Sequence, residues 1–245
     1  MKIEGIGAVL FDAGNTLAHL DYAFIAEVLA EHGQRVSPED LRLAEYGAKA
    51  AIDRQLAPEM APPGSIEGLL WPDEEAARPS YFATVLHCLG IASAQAKPIL
   101  AALRAHNQAS CLWRVVEPDT AQVLAALRAR GFTLAVISNS DGRIEADLER
   151  YGLRAHFAAV IDSHVVGLEK PDPAIFKLAL ERIGVRAEAA LYVGDVYGID
   201  IAGARRAGLR AVLMDPLDRY PGRLDCPRIC RLAQLLELLP QQASQ

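Results

Sequence analysis

The chain has 245 residues, of which 51% are hydrophobic and 23% charged, and its formal net charge is −6. That size suits one large α/β domain or a core carrying a smaller insert, and the composition suits a globular core. The acidic balance argues against a nucleic-acid partner, because a phosphate backbone rewards a basic surface.

The first expected element is a strand over 8–12, an apolar run ending in Asp12. Continuous apolar runs of this length suit a strand buried on both faces of a parallel sheet. Lys2 and Glu4 stand beside a run too short for a signal-peptide core, so no export signal is expected. No apolar stretch approaches the ~20 residues a membrane span needs, and no membrane partner is expected. Cysteines 88, 111, 226 and 230 lack the paired spacing of a zinc site. They read as reduced thiols, which suggests the cytoplasm.

Residues 18–113 read as helices over 23–32, 38–55, 81–89 and 94–106, with loops at 57–63 and 72–79. From residue 115 onward helix and strand alternate. Asp119 is placed to cap a helix whose stripe is Val123, Leu124 and Leu127, with Gly131 where it stops. A strand follows at 134–138, then a helix with Ile144, Leu148 and Tyr151, and a weaker strand at 158–162. Asp172-Pro173 is a cap plus first-turn proline, opening a helix that buries Ile175, Phe176, Ala179, Leu180 and Ile183. Strands at 191–195 and 211–214 flank a helix over 199–207 that closes at Gly208. The expected fold is α/β: a Rossmann-like parallel-sheet core of 1–17 and 114–245, with an inserted all-helical domain at 18–113.

Ligands of open parallel sheets bind beyond the carboxyl ends of the strands. Asp12, Ser138, Asn139 and Asp195 stand at such ends, Asp200 follows five positions later, and Lys170 lies in the loop after the weak strand. Clustered carboxylates repel, and one pKa rises unless a cation sits among them. Magnesium suits hard oxygen ligands and bridges readily to phosphate. Asp12 could then ligate with one oxygen and attack phosphorus with the other, giving an aspartyl-phosphate. Lys170 supplies a point charge and Ser138 a hydroxyl for the phosphoryl oxygens. Alone, each has an ordinary reading: a strand-end acid that caps a helix, a surface lysine. Asp200 could orient its neighbour as readily as ligate. Their conjunction favours chemistry.

At Phe11-Asp12-Ala13-Gly14-Asn15-Thr16-Leu17, Ser138-Asn139, Lys170-Pro171-Asp172-Pro173 and Gly194-Asp195-Val196-Tyr197-Gly198-Ile199-Asp200, the chain resembles a haloacid dehalogenase-like (HAD) hydrolase. The likeness is to subfamily I, and it makes the insert a helical C1 cap. The resemblance implies that Asp12 is the nucleophile and that Asp195 ligates magnesium, with the Gly14 backbone carbonyl and Asp200 as further ligands. It implies that Thr16, Ser138 and Lys170 support the phosphoryl group of a small phosphorylated substrate. Asn139 and His19 are candidate substrate contacts.

Gly14 departs from the pattern, because the family's phosphatases usually carry a second Asp there. The proton donor to the leaving group is lost, an effect typically worth 10²–10⁴-fold, or about 3–5 kcal/mol of barrier. His19 and Asp21 are candidates to replace it. A haloacid dehalogenase also lacks that Asp, but the acidic pair Asp195 and Asp200 disfavours it. A phosphonatase-like C–P hydrolase would need a cap lysine, and Lys49, expected to be a solvated helix lysine, is better placed than Lys97. A catalytically weak phospho-ligand-binding module is the reading from outside the enzymes. A receiver domain lacks the helical insert, and Gly5-Ile6-Gly7 precedes the first strand where a dinucleotide site would follow it. Arg54, Trp71, Arg78 and Tyr81 are candidates by chemistry for cap specificity.

Overall fold

The structure, a computed structural model, describes residues 2–61, 81–220 and 224–241, and the backbone of 72–73 and 78–79. It contains two compact units, one of Met1–His19 with Val115–Gln245 and one of Leu20–Arg114.

The first unit is built on strands β1 (Ala8–Phe11), β2 (Thr133–Ser138), β3 (Ala159–Asp162), β4 (Ala190–Gly194), β5 (Arg210–Met214) and β6 (Arg228–Ile229). They pair in parallel in the spatial order β6-β5-β4-β1-β2-β3. Every residue of β1 and β4 is buried, as helices on both faces of a parallel sheet require. The chain winds outward from β1 through β2 and β3, then crosses back to continue on the other side from β4. That reversal leaves a crevice above the carboxyl ends of β1 and β4, where the backbone diverges to either side.

Amphipathic helices supply the covering layers. Helix Thr120–Ala129 buries Val123, Leu124 and Leu127 in a cluster with Val9, Phe11 and Leu134. Each such aliphatic side chain contributes about 1.5–3 kcal/mol when fully removed from water. Helix Pro173–Ile183 buries Ile175, Phe176, Ala179 and Leu180, and Asp172 caps it by accepting from the Ala174 N–H at 2.8 Å. Asp119 does not act as expected. It holds the N-cap position, but its backbone is already helical and its side chain makes no capping bond. Capping needs an extended backbone that turns the carboxylate back over the first turn.

Two further elements differ from the sequence reading. The helix expected from residue 199 starts earlier, as one wide π-type turn over Tyr197–Ile201, before Ala202–Arg206 continues as α-helix. The short edge strand β6 was not foreseen.

The second unit contains helices Tyr22–Glu31, Pro38–Leu56, Tyr81–Cys88 and Ser93–Ala109 around a core that includes Ile25, Leu29, Leu41, Leu86, Ile99 and Leu103. Pro72–Asp73 and Arg78–Pro79 pair as short antiparallel strands where a loop was expected. Lys49 corrects the expectation of a solvated lysine. It is buried, 3.1 Å from Glu45 Oε1 one helical turn away, with its ammonium 4.6 Å from the Tyr46 ring centroid. Glu45 also accepts from the hydroxyls of Tyr22, at 2.9 Å, and Tyr81. Of the cap candidates, Tyr81 is thus held by Glu45, Arg54 Nε is buried without a partner, and Trp71 and the Arg78 side chain lie outside the described residues. Among the described residues, no helix is long and apolar enough to cross a membrane.

Candidate active site

The β1–β4 ladder extends one residue past β1, because the Asp12 N–H donates to the Val193 carbonyl at 2.8 Å. This fixes Asp12 at the lip of the crevice. The chain then turns tightly: the Ala13 carbonyl accepts from Leu17 and Ala18, and Asn15 takes a positive φ of 54°. Asparagine is among the few non-glycine residues that tolerate that conformation. Thr16 sits inside the turn, and its hydroxyl is buried without a partner. The backbone of Gly14 forms an isolated bridge with Ala18.

Lys170 reaches the same place from the loop after β3. Its ammonium donates to Asp12 Oδ1 at 2.5 Å, to Asp200 Oδ1 at 2.7 Å and to the Tyr192 hydroxyl at 2.9 Å. Asn139, at the end of β2, fixes the lysine backbone by donating to its carbonyl and accepting from its N–H, both at 2.8 Å. The Asn139 side chain therefore acts on Lys170. Ser138 is buried beside it at the strand end.

Asp200 arrives through the π-type turn. Its Oδ2 accepts from the backbone N–H groups of Asp195, at 3.1 Å, and Val196, at 3.0 Å. The wide turn carries the carboxylate back under the end of β4, a placement consistent with such turns marking functional sites. Asp12, Asp195 and Asp200 each offer a carboxylate oxygen within 4.8 Å of the others, and all three residues are buried.

Burial pushes the Asp12 carboxyl up to about 7; Lys170 opposes the rise, while Asp200 and Asp195 reinforce it. Burial also raises the Asp200 carboxyl, against the pull of Lys170. Burial alone would depress the Lys170 ammonium, but Asp12 and Asp200 outweigh it and hold the group well above the usual lysine range. Three buried carboxylates against one lysine leave an excess of negative charge and hard oxygen donors, which fits a small divalent cation. Asp12, Asp195 and Asp200 are the clustered carboxylates that could hold it. The orphaned Thr16 hydroxyl fits a hydrogen-bonding ligand in the turn.

Other sequence candidates are accounted for differently. Asp21 accepts from the Phe24 N–H at 3.0 Å as the cap of Tyr22–Glu31 and pairs with Arg114 Nε at 2.9 Å, so its carboxylate is occupied inside the second unit. His19 is half-buried at the boundary of the first unit.

Two residues escaped the sequence reading. Tyr192, fully buried in β4, bonds the Lys170 ammonium and donates to the Ile137 carbonyl at 3.1 Å. Asp162, at the end of β3, accepts from the N–H groups of Gly142, Ile144 and His164, which ties down the loop after Ser138 and Asn139. An acid closing a strand was the signal that singled out Asp12, and the same signal was present at Asp162. Tyr192 read as ordinary strand core.

Acids and a lysine thus converge at the switch point of a doubly wound α/β sheet, and comparison with known proteins assigns the family. A family model for haloacid dehalogenase-like hydrolases matches residues 6–208. The chain belongs to that family. It is 39% identical over 163 residues to the mouse haloacid dehalogenase-like hydrolase domain-containing protein 3, a match covering 64% of each protein. The aligned stretch is therefore under two thirds of that relative's length. It is 38% identical over 135 residues to a glyceraldehyde 3-phosphate phosphatase of Methanopyrus kandleri, covering 55% of this chain and 58% of the relative. In fold it is similar to the Bacillus subtilis protein YfnB, solved bound to magnesium, with a TM-score of 0.65, 19% identity, and coverage of 95% of this chain and 97% of that one.

Proposed function

We propose that this chain is a magnesium-dependent phosphohydrolase that cleaves a small phosphorylated metabolite through an aspartyl-phosphate on Asp12. The observation that carries this reading is the buried set of Asp12, Asp195 and Asp200 with Lys170 bonded across Asp12 and Asp200. The likeness to a relative named as a phosphatase supports it. In this reading Asp12, Asp195 and the Gly14 carbonyl hold magnesium, and Asp200 acts mainly by orienting Lys170 and the Asp195 peptide. Bound there, the cation offsets carboxylate charge and stabilises negative charge on phosphoryl oxygens.

The Asp12 carboxylate attacks phosphorus, the bond to the leaving oxygen breaks, and that oxygen departs with its electron pair. Lys170, Ser138 and Thr16 donate to the phosphoryl oxygens as charge builds on them. Water then attacks phosphorus, releasing inorganic phosphate and restoring the Asp12 carboxylate. Gly14 supplies no acid and the Asp21 carboxylate is occupied, so a leaving group that departs without protonation suits the site. The unit of Leu20–Arg114 is read as the helical C1 cap that selects the substrate. A cytoplasmic setting fits the four cysteines, which carry no disulfide.

The phosphonatase alternative is weakened by Lys49, whose ammonium is buried and paired with Glu45 at 3.1 Å inside its own unit. A screen of phosphorylated metabolites with magnesium, run beside Asp12→Asn, tests the proposal. Phosphate release by the natural chain and none by the variant supports it; release by both would end it.

A further inference from the structure

The Lys170 ammonium has three N–H donors, and all three are engaged, by Asp12, Asp200 and Tyr192. A phosphoryl oxygen can therefore bond to Lys170 only by displacing one of the present acceptors. Asp12 is the acceptor suited to yield. Its side chain is the most exposed of the set, 11% against 2% for Asp200. It is also the group whose negative charge falls when it becomes an acyl phosphate.

Tyr192 is the acceptor least able to leave. Its side chain is fully buried, and its ring stands edge-on to Phe176 at 5.0 Å and 77°. Phe176 is itself confined, since a Cβ added at Gly203 would lie 2.9 Å from its ring. The Tyr192 hydroxyl has the Ile137 carbonyl as acceptor at 3.1 Å and Asp200 Oδ1 as a longer one at 3.4 Å, and donating to either leaves an oxygen lone pair for the ammonium. Being neutral, this acceptor holds Lys170 without adding a fourth negative charge to the site.

We propose that Tyr192 is a positioning residue: its hydroxyl is the fixed pivot about which the Lys170 ammonium passes from the Asp12 carboxylate to the phosphoryl group. This rests on the aspartyl-phosphate reading above. Tyr192→Phe keeps the ring and its packing and removes only the pivot. A bond to a charged donor is worth enough that kcat for p-nitrophenyl phosphate should fall about ten-fold or more. KM should change by less than about two-fold, since the lysine's charge remains in the site.

The test measures kcat, KM and melting temperature of the full magnesium-loaded chain and of Tyr192→Phe. A lower kcat with near-constant KM and a melting temperature within a few degrees supports the pivot. An unchanged kcat overturns it, and so does a variant that fails to fold, because the hydroxyl would then serve stability. If the natural chain releases no phosphate from any ester tried, the functional reading itself falls and takes this inference with it. Activity retained in Tyr192→Phe removes the inference alone.

Discussion

The Asp200 carboxylate occupies the space that any side chain at Gly194 would need: a Cβ built there would lie 2.4 Å from Asp200 Cγ. The close approach lets Asp200 Oδ2 reach the Asp195 and Val196 N–H groups while Oδ1 holds Lys170. Both neighbours are packed, so neither can retreat cheaply. Gly194→Ala should destabilise the fold by about 1–3 kcal/mol, the usual cost of overpacking. It should also cut turnover at least about a hundred-fold, by displacing Asp200 and with it Lys170. Thermal denaturation and a phosphatase assay check this; a fully active Gly194→Ala would contradict it.

Magnesium binding should be coupled to pH through Asp12. Without metal, burial raises this carboxyl from 3.8 to about 7, so the folded protein holds the proton more tightly than the unfolded chain does. Its contribution to stability is then complete below about pH 4 and lost as the pH rises through 7. A cation competes with that proton and favours the ionised form. The melting temperature in chelator should fall across pH 5–8 as Asp12 ionises, and the increase on adding magnesium should be larger at pH 8 than at pH 5. Equal increases at both ends would count against a site built on Asp12.

Leaving-group preference should follow from Gly14. With no acid at that position, aryl or acyl phosphates should be hydrolysed about 10²–10⁴-fold faster than alkyl phosphates of similar size. A plot of log kcat/KM against leaving-group pKa should slope steeply downward. A flat plot would show that another residue delivers the proton, with His19 the first to substitute.

Asp162 offers a test remote from the reacting atoms. Replacing it with alanine leaves the N–H groups of Gly142, Ile144 and His164 without their acceptor. The expected cost is about 2–4 kcal/mol in stability. Residual turnover should drop as well, because the loosened loop carries Asn139, which holds the Lys170 backbone. Urea denaturation with parallel kinetics would reveal either effect, and Asp162→Asn should recover part of both.

The sheet and the strand-end positions of the candidate site residues were readable because their signals are local. Apolar runs ending in a polar residue marked β1, β2 and β4 and put Asp12, Ser138 and Asp195 at their tips. Other features depend on groups that meet only in three dimensions. Tyr192 lies in a hydrophobic run, and nothing in that run announces that its hydroxyl meets an ammonium from the Lys170 loop. Lys49 and Glu45 share a helix face that looks solvated in sequence, yet it turns toward Tyr22 and Tyr81. The π-type turn at Tyr197–Ile201 was missed because ordinary helical periodicity fits its residues nearly as well.

β1 lies at the centre of the sheet, with Ala8 opposite Thr133 on one side and Ala190 on the other. This apolar strand precedes both of its partners in the sequence, so it must wait unpaired until Thr133 and the residues after it have been synthesised, and it gains its second neighbour only at Ala190. Such long-range pairing is intrinsically slow and exposes sticky intermediates. Maturation of this protein should accordingly be more sensitive to chaperone supply and expression temperature than its finished stability would suggest.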